Sequence, residues 1–184
     1  MYMRIIAGKL KGRTLHSFHA PHIRPTTDRV KETMFNKLMG RLAGASVLDL
    51  FSGTGNLGIE SYSRGATEVC LVEDSPQSIK IIKKNIYSLG ISKFVEIVKS
   101  DVFSYLKGVE PVGFDLIFVD PPFTKTLAHR LMGEVSLRTA CCPGGLIILE
   151  SSKQEQLEES YAGYDLWDKK SFGDKILSIW TRLE

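Results

Sequence analysis

The sequence predicts an α/β fold with a mostly parallel, seven-stranded sheet, helices on both faces, and a small β-hairpin and helix in front of it. First, short apolar runs alternate with helical patterns, which is typical of parallel strands joined by crossover helices. Second, the last two strand patterns are joined only by a few residues around Phe172-Gly173-Asp174. Because a crossover needs many more residues, these two strands should pair antiparallel, which makes the last strand antiparallel to the sheet.

The first elements are short and carry many basic residues. Residues 3–17 predict the hairpin, because two β-prone runs flank Lys9-Leu10-Lys11-Gly12. A helix opens at Arg24-Pro25-Thr26-Thr27-Asp28, where a threonine can cap the first turn and Asp28 suits the helix dipole. Its apolar stripe is Val30, Met34, Phe35 and Leu38.

Apolar runs predict the remaining strands, and helical spacing of apolar residues predicts the remaining helices. The strands are expected at 47–50, 68–73, 94–98, 114–119, 146–150, 164–169 and 176–183. The helices are expected at 57–64, 76–89, 102–106, 125–139 and 155–161. This order predicts a Rossmann-like domain at residues 42–184. Residues 1–41 form a basic N-terminal extension, which we expect to face RNA.

Composition and charge narrow the function classes. No apolar run reaches the roughly 18 residues of a membrane span, and no leader pattern opens the chain. The three cysteines lack the spacing of metal ligands or of a disulfide framework, so we expect no bound metal and a cytoplasmic protein with reduced thiols. We also expect no association with a membrane. Residues 1–41 hold nine Lys/Arg against two Asp/Glu, although the net charge is only +3. This asymmetry favours RNA or DNA as a partner; a solvated basic face is the alternative.

A glycine-rich loop follows the first buried strand. Its G-x-G-x-x-G spacing is that of nucleotide-binding loops, in which glycines let a ligand approach the backbone. Asp49, just before the loop, would repel a pyrophosphate and attract a cation, so S-adenosylmethionine fits better than NAD. Alternatively, Asp49 only fixes the loop by accepting backbone N–H groups. The loop residues expected to contact the cofactor are Phe51, Gly53, Thr54 and Gly55.

Acidic residues end the first four strands of the predicted sheet, at the edge where parallel sheets bind ligands. They are Asp49, Glu73, Asp101 and Asp120. Glu73 follows Gly53 at the spacing of an acid that holds ribose hydroxyls, with Asp74 beside it as the alternative. Asp101, with Val102 next to it, is expected to meet the adenine. The other interpretation is that strand-end acids cap the following helices.

Asp120-Pro121-Pro122-Phe123 is the most specific motif. Two prolines fix φ and remove two N–H donors, which leaves a stiff turn with outward carbonyls. A carboxylate and a carbonyl can then accept both hydrogens of an exocyclic NH₂ group, while the aromatic ring stacks on its base. These contacts aim the nitrogen lone pair at a methyl group, so the motif predicts methylation of an aromatic amine. The alternative is an ordinary rigid loop.

With these residues the chain resembles the RsmD-type 16S ribosomal RNA guanine-N2 methyltransferases, which are class I S-adenosylmethionine-dependent methyltransferases. The segments that carry the resemblance are 4–8, 12–13, 24–33, 49–55, 63–66 and 120–123. It implies a guanine of 16S ribosomal RNA, in the 30S subunit or its precursor, as the substrate. It also implies that Arg24 and Thr26 lie near the methionine end of the cofactor and the incoming base. We expect contacts with the RNA from Lys9, Lys11, Arg13, Arg24, Thr26 and Arg29.

Three other functions stay open at this point. A DNA adenine or cytosine amino methyltransferase shares the Asp-Pro-Pro-Phe motif, but normally needs a target-recognition domain. An NAD-dependent oxidoreductase shares the glycine spacing, which Asp49 opposes. A non-catalytic RNA-binding assembly factor of the same fold would not need Asp120 and Phe123.

Overall fold

The structure, a computed structural model, describes residues 3–17, 28–108, 113–122, 127–155 and 157–184. Its strands are β1 (Met3–Arg4), β2 (Thr14–Leu15), β3 (Ser46–Leu50), β4 (Glu68–Glu73), β5 (Val95–Lys99), β6 (Phe114–Val119), β7 (Cys141–Ser152), β8 (Tyr164–Phe172) and β9 (Lys175–Arg182). Its helices are α1 (Asp28–Lys37), α2 (Asn56–Ser63), α3 (Pro76–Leu89), α4 (Val102–Gly108), α5 (Leu127–Met132) and α6 (Val135–Ala140).

The described residues form one seven-stranded sheet in the order β5-β4-β3-β6-β7-β9-β8 and a separate β1-β2 hairpin. Strands β3 to β7 pair in parallel, whereas β9 is antiparallel to both of its neighbours. The predicted hairpin, sheet and antiparallel last strand are thus confirmed. The strand order reverses between β3 and β6, which makes their carboxyl ends the switch point where such sheets bind ligands.

Two apolar layers cover the two faces of this sheet. Helices α1, α2 and α3 cover one face, with Phe35, Ile59 and Ile82 buried in it. Helices α4, α5 and α6 cover the other face, with Leu106, Leu131 and Leu137 buried in it. The hairpin adds Ile5 and Leu15 to the first layer, so the basic extension shares the core of the sheet domain. None of the described helices is long and apolar enough to cross a membrane.

Two predicted helices differ from the structure. The helix expected at 125–139 is two helices, because Gly133 ends α5 and Glu134 takes an extended conformation before α6. Glycine is a poor helix residue, and the break lets both Leu131 and Leu137 reach the core. The prediction of a helix at 155–161 was wrong, because the described residues of that stretch are irregular up to an isolated bridge between Tyr161 and Tyr164.

Strand β7 begins five residues earlier than expected, at Cys141. Its pairing with β6 shifts register between Phe114 and Leu116, so Pro143-Gly144-Gly145 lies in a bulge rather than in a turn before the strand.

Candidate active site

Asp49, Glu73 and Asp120 lie near one another at the switch point of the sheet. Asp49 lies opposite Leu71 on one side and Phe118 on the other. Glu73 follows Leu71 by two residues within β4, so the alternation along the strand puts it on the same face as Asp49. Asp49 is then about 6.6 Å deeper than Glu73, which is the rise of two strand residues. Asp120 directly follows β6, two positions after Phe118, and is near enough for its charge to act on Asp49. The sequence prediction of an acid-lined edge is correct for these three residues.

The glycine loop has an unusual backbone. Phe51 has a positive φ of 61°, although it is not glycine, and Gly53 and Gly55 have φ values of 57° and 78°. A Cβ on Gly53 would find only the Phe51 carbonyl within 4 Å, at 3.9 Å, so this position faces open space. A Cβ on Gly58 would lie 2.3 Å from a Leu71 methyl, so that glycine brings α2 close to β4 instead. The loop therefore leaves room for a ligand at its first glycine.

Asp49 is hydrogen-bonded to the first turn of α2, directly after the glycine loop. Its side chain is 2% exposed, and its Oδ2 accepts the backbone N–H of Gly58 at 2.9 Å. Burial raises the pKa of Asp49 to about 8, and the negative charges of Asp120 and Glu73 add to this effect. A cation bound beside the carboxyl group would lower that pKa again. The structure therefore contains the loop-fixing contact that the sequence left as an alternative, together with a carboxyl group suited to a cationic ligand.

We expect the Asp49→Asn variant to gain stability over the wild type as the pH rises from 5 to 8. Between its ordinary pKa of 3.8 and the folded-state value of about 8, Asp49 is ionised only when unfolded. The wild type then loses up to about 1.4 kcal/mol of unfolding free energy per pH unit, whereas asparagine keeps an acceptor for Gly58 without titrating. Urea unfolding of both proteins at pH 5 to 9 measures the difference, which should level off above pH 8. A difference in unfolding free energy that does not change with pH would show that burial does not raise the pKa of Asp49.

Glu73 joins the glycine loop to the start of α3. Its carboxylate accepts the N–H of Gly53 at 2.7 Å and the N–H of Ser75 at 2.9 Å, and its side chain is 8% exposed. Burial raises the pKa of Glu73, and Asp74 raises it further. Asp74 is exposed. Of these two neighbouring acids, Glu73 is therefore the one that is hydrogen-bonded to the glycine loop, where we expect the ribose.

Replacing Glu73 with alanine should weaken the binding of S-adenosylhomocysteine at least tenfold, equivalent to about 1.4 kcal/mol. The change removes the acid expected to hold the ribose and releases the N–H groups of Gly53 and Ser75. Titration calorimetry measures the dissociation constant, with Asp74→Ala as the matched control on the neighbouring exposed acid. A tenfold loss in the Asp74 variant alone would move the ribose contact to that residue.

Asp101 lies at the same edge but is exposed, and its Oδ1 accepts the N–H of Ser104 at 2.9 Å. That is the geometry of a helix cap at the start of α4, the alternative that the sequence left open. Val102, the next residue, is buried. The adenine contact stays a prediction, and it would use the second carboxylate oxygen.

The proline turn begins directly after β6. Asp120 is partly exposed, Pro121 is buried and Pro122 is exposed. Pro121 thus holds the turn against the protein, whereas Asp120 reaches the surface at the acid-lined edge. Three predicted site residues, Phe123, Arg24 and Thr26, lie outside the described residues.

A buried ionic cluster that the sequence analysis missed attaches the extension to α2. Glu60 is fully buried and pairs with Lys31 at 3.0 Å and with Arg64 at 2.8 Å. The same carboxylate accepts the N–H groups of Ile6 and Ala7 at 2.9 and 3.0 Å. Burial alone would raise the pKa of Glu60, but Lys31, the Ile6 N–H and Arg64 lower it. Burial lowers the pKa of Lys31.

The described cations that are predicted to meet RNA have different surroundings. The Lys9 ammonium lies 3.5 Å from the centre of the Tyr62 ring, near the end of α2 that leads into β4 and away from the acids. Arg13 is exposed and donates to the Ser88 carbonyl at 3.3 Å. Lys11 and Arg29 are exposed on the hairpin and on α1. Contact of these residues with RNA stays a prediction.

The strand order, the glycine loop with its acid, and the Asp-Pro-Pro turn across the switch point define the class as a methyltransferase of the Rossmann-like type. A family model described as conserved hypothetical protein 95 matches residues 3–181. Ribosomal RNA small subunit methyltransferase D of Escherichia coli is 33% identical over 182 residues, which cover 98% of this chain and 90% of that protein. A putative rRNA methyltransferase of Bacillus subtilis, YlbH, is 32% identical over 182 residues, covering 98% and 99%.

Solved structures agree with this match. A putative methyltransferase from Escherichia coli is 30% identical, with a TM-score of 0.88 over 100% of this chain and 99% of that chain. A putative methylase from Haemophilus influenzae is also 30% identical, with a TM-score of 0.80 over 100% of both chains. The chain belongs to the family of the ribosomal RNA small subunit methyltransferases D, as the sequence motifs predicted.

Proposed function

We propose that this protein transfers a methyl group from S-adenosylmethionine to the exocyclic N2 amino group of a guanine in 16S ribosomal RNA. The family supports the coarser activity, methylation of small-subunit ribosomal RNA. The observation that carries the finer proposal is the position of Asp120. This residue heads a stiff proline turn directly after β6, close enough to Asp49 for its charge to act on that carboxyl group.

The residues of the glycine loop fit this cofactor. Gly53 faces open space, Glu73 offers a carboxylate for two ribose hydroxyls, and Asp49 offers one for a cation. Phe51, Thr54, Gly55, Asp101 and Val102 complete the proposed contacts. When bound, the cofactor supplies a methyl group on a sulfonium, which is an electrophile.

The amine is the weak partner in such a transfer, since its lone pair is delocalised into the base. Asp120 and a carbonyl of the Pro121-Pro122 turn accept its two hydrogens, which favours a more tetrahedral nitrogen. Asp120 need not be a strong base, because the methylated ammonium loses its proton readily. We further propose that Phe123 stacks on the base. Catalysis then depends mainly on holding the nitrogen in line with the methyl group.

The RNA is proposed to bind first through its phosphates. Residues 1–41 carry a charge of +7 while the rest of the chain carries −4, so the extension is the attractive surface. Arg29 and Lys11 are exposed there, and Arg24 and Thr26 are proposed to lie by the incoming base. A guanine that pairs or stacks must be splayed out to reach the sheet edge. A ribosomal substrate, in the 30S subunit or its precursor, also makes the cytoplasm the proposed location.

The proposal is tested by a mass-spectrometric map of methylated guanines in ribosomal RNA from cells with and without this protein. One guanine of 16S RNA should lose an N2 methyl group without it, and the purified protein should restore that group on isolated 30S subunits. Methyl transfer to duplex DNA and not to 30S subunits would instead support a DNA amino methyltransferase. Calorimetry with S-adenosylhomocysteine and with NAD separates the proposal from an oxidoreductase.

A further inference from the structure

Asn85 of α3 connects the end of the hairpin to the glycine loop. It is fully buried, and its amide accepts the N–H of His16 at 2.7 Å. The same amide donates to the carbonyl of His16 at 3.1 Å and to the carbonyl of Thr54 at 3.0 Å. A buried amide is costly unless its groups are hydrogen-bonded. Here both of its hydrogens are used, one on the extension and one on the loop.

A second contact joins the same two parts on the other side of the loop. The Lys31 ammonium of α1 donates to the Arg4 carbonyl at 2.7 Å and to Asn56 Oδ1 at 2.8 Å. Asn56 begins α2, directly after the glycine loop. Thr54 and Asn56, the two residues that flank Gly55, are therefore each joined to the extension through a buried polar side chain.

Because of these contacts, the order of the hairpin and the conformation of the glycine loop depend on each other. The hairpin has only two residues in each strand, and so small a hairpin is not stable by itself. Its order depends on what it packs against, including His16 on Asn85. A ligand that orders the loop should therefore also order the hairpin, and a ligand on the hairpin should favour the loop conformation that binds cofactor.

We propose that Asn85 is a positioning residue that couples RNA binding at the extension to cofactor binding at the glycine loop. The inference rests on the proposed function, because it takes RNA as the ligand of the extension. Binding of the 30S subunit then raises the affinity for cofactor, and the cofactor raises the affinity for the 30S subunit by the same factor.

Equilibrium dialysis of radiolabelled S-adenosylhomocysteine, with and without saturating 30S subunits that lack the methyl group, measures this coupling. In the wild type the 30S subunits should tighten binding by about fivefold or more, the lower end of common coupling factors. In Asn85→Ala the ratio should fall clearly below the wild-type value, because only the Lys31 contact then joins the two parts. The matched control is Ile86→Ala, the next residue of α3, which is also buried but packs in the apolar core. That variant should keep the wild-type ratio.

A measurement on the wild type alone covers the case in which Asn85→Ala does not fold. Hydrogen exchange should show that S-adenosylhomocysteine protects the amides of residues 3–17 as well as the loop. Absence of this protection, or an unchanged ratio in Asn85→Ala, would overturn the coupling. Methyl transfer to 30S subunits without coupling would reject this inference only. Protection of the hairpin without any methyl transfer to 30S subunits would reject the proposed function and leave the connection between hairpin and loop standing.

Discussion

The Asp120→Ala variant is expected to transfer methyl groups at least about 100-fold more slowly than the wild type, the scale found for removing one preorganised polar group from an active site. Asp120 heads the proline turn and is the carboxylate proposed to hold the target amine. The affinity for 30S subunits should stay within about twofold, because phosphate contacts supply most of it. Single-turnover incorporation of a labelled methyl group measures the rate, and filter binding measures the affinity.

Asp115 offers a matched control for this substitution. It lies on β6, the strand that leads to Asp120, but at the opposite end, where it accepts the N–H of Ser46 at 2.8 Å. Asp115→Ala should therefore keep the single-turnover rate of the wild type. Equal rates in the wild type and the Asp120 variant would show that another group holds the amine. A parallel loss of 30S binding in the Asp120 variant would instead assign this residue to RNA recognition.

The Glu60→Ala variant is expected to lose about 3–5 kcal/mol of unfolding free energy, the usual loss when a buried ion pair is broken. The change leaves Lys31, whose side chain is 1% exposed, without its counter-ion. It also removes the acceptor of the Ile6 and Ala7 N–H groups. Because the folded-state pKa of Glu60 is lowered, this stabilisation is present above its ordinary pKa of 4.5 and is lost as the pH falls below it. Urea unfolding at pH 7 and at pH 4 measures both effects.

Two comparisons separate the broken pair from an ordinary loss of side-chain contacts. The double variant Lys31→Met, Glu60→Leu should recover the part of the loss that comes from the unpaired Lys31, since apolar residues of similar volume often replace buried ion pairs without destabilisation. It should not recover the part that comes from the Ile6 and Ala7 N–H groups. Glu68→Ala removes an exposed glutamate at the start of β4 and should change stability by less than about 0.5 kcal/mol. If Glu60→Ala lost as little as Glu68→Ala, the cluster would not anchor the extension.

The strands were predictable because their signal is local. Strand β4 reads as a continuous apolar run, and the short link at Gly173 was enough to predict the antiparallel pairing of β8 and β9. The helix expected at 155–161 failed because its polar and apolar residues fit two structures equally well. Contacts from distant residues decided between them, since Glu155 accepts the N–H of His129 at 3.0 Å and Tyr161 packs edge-on against Trp180.

The site was predictable only in part, for a related reason. Asp49, Glu73 and Asp120 each end a strand, so parallel pairing alone brings them to one edge of the sheet. Glu60 looks like one more helical glutamate, and nothing near it indicates that Lys31 is its partner. Asn85 likewise gives no sign of contact with His16 and Thr54, which precede it by 69 and 31 residues.

The sequence by itself determined the order of the strands and of most helices, the edge at which the acids meet, and the restricted backbone of the Asp-Pro-Pro turn. These follow from hydrophobic periodicity, from backbone restriction at glycine and proline, and from residue type, all of which act over a few residues. Only the tertiary structure decided that Asp49 is buried enough to reach a pKa of about 8. It alone also decided that the extension is fastened to the glycine loop through Lys31 and Asn85. Burial and pairing depend on groups that are distant in the chain, and their energies exist only once the chain has folded around them.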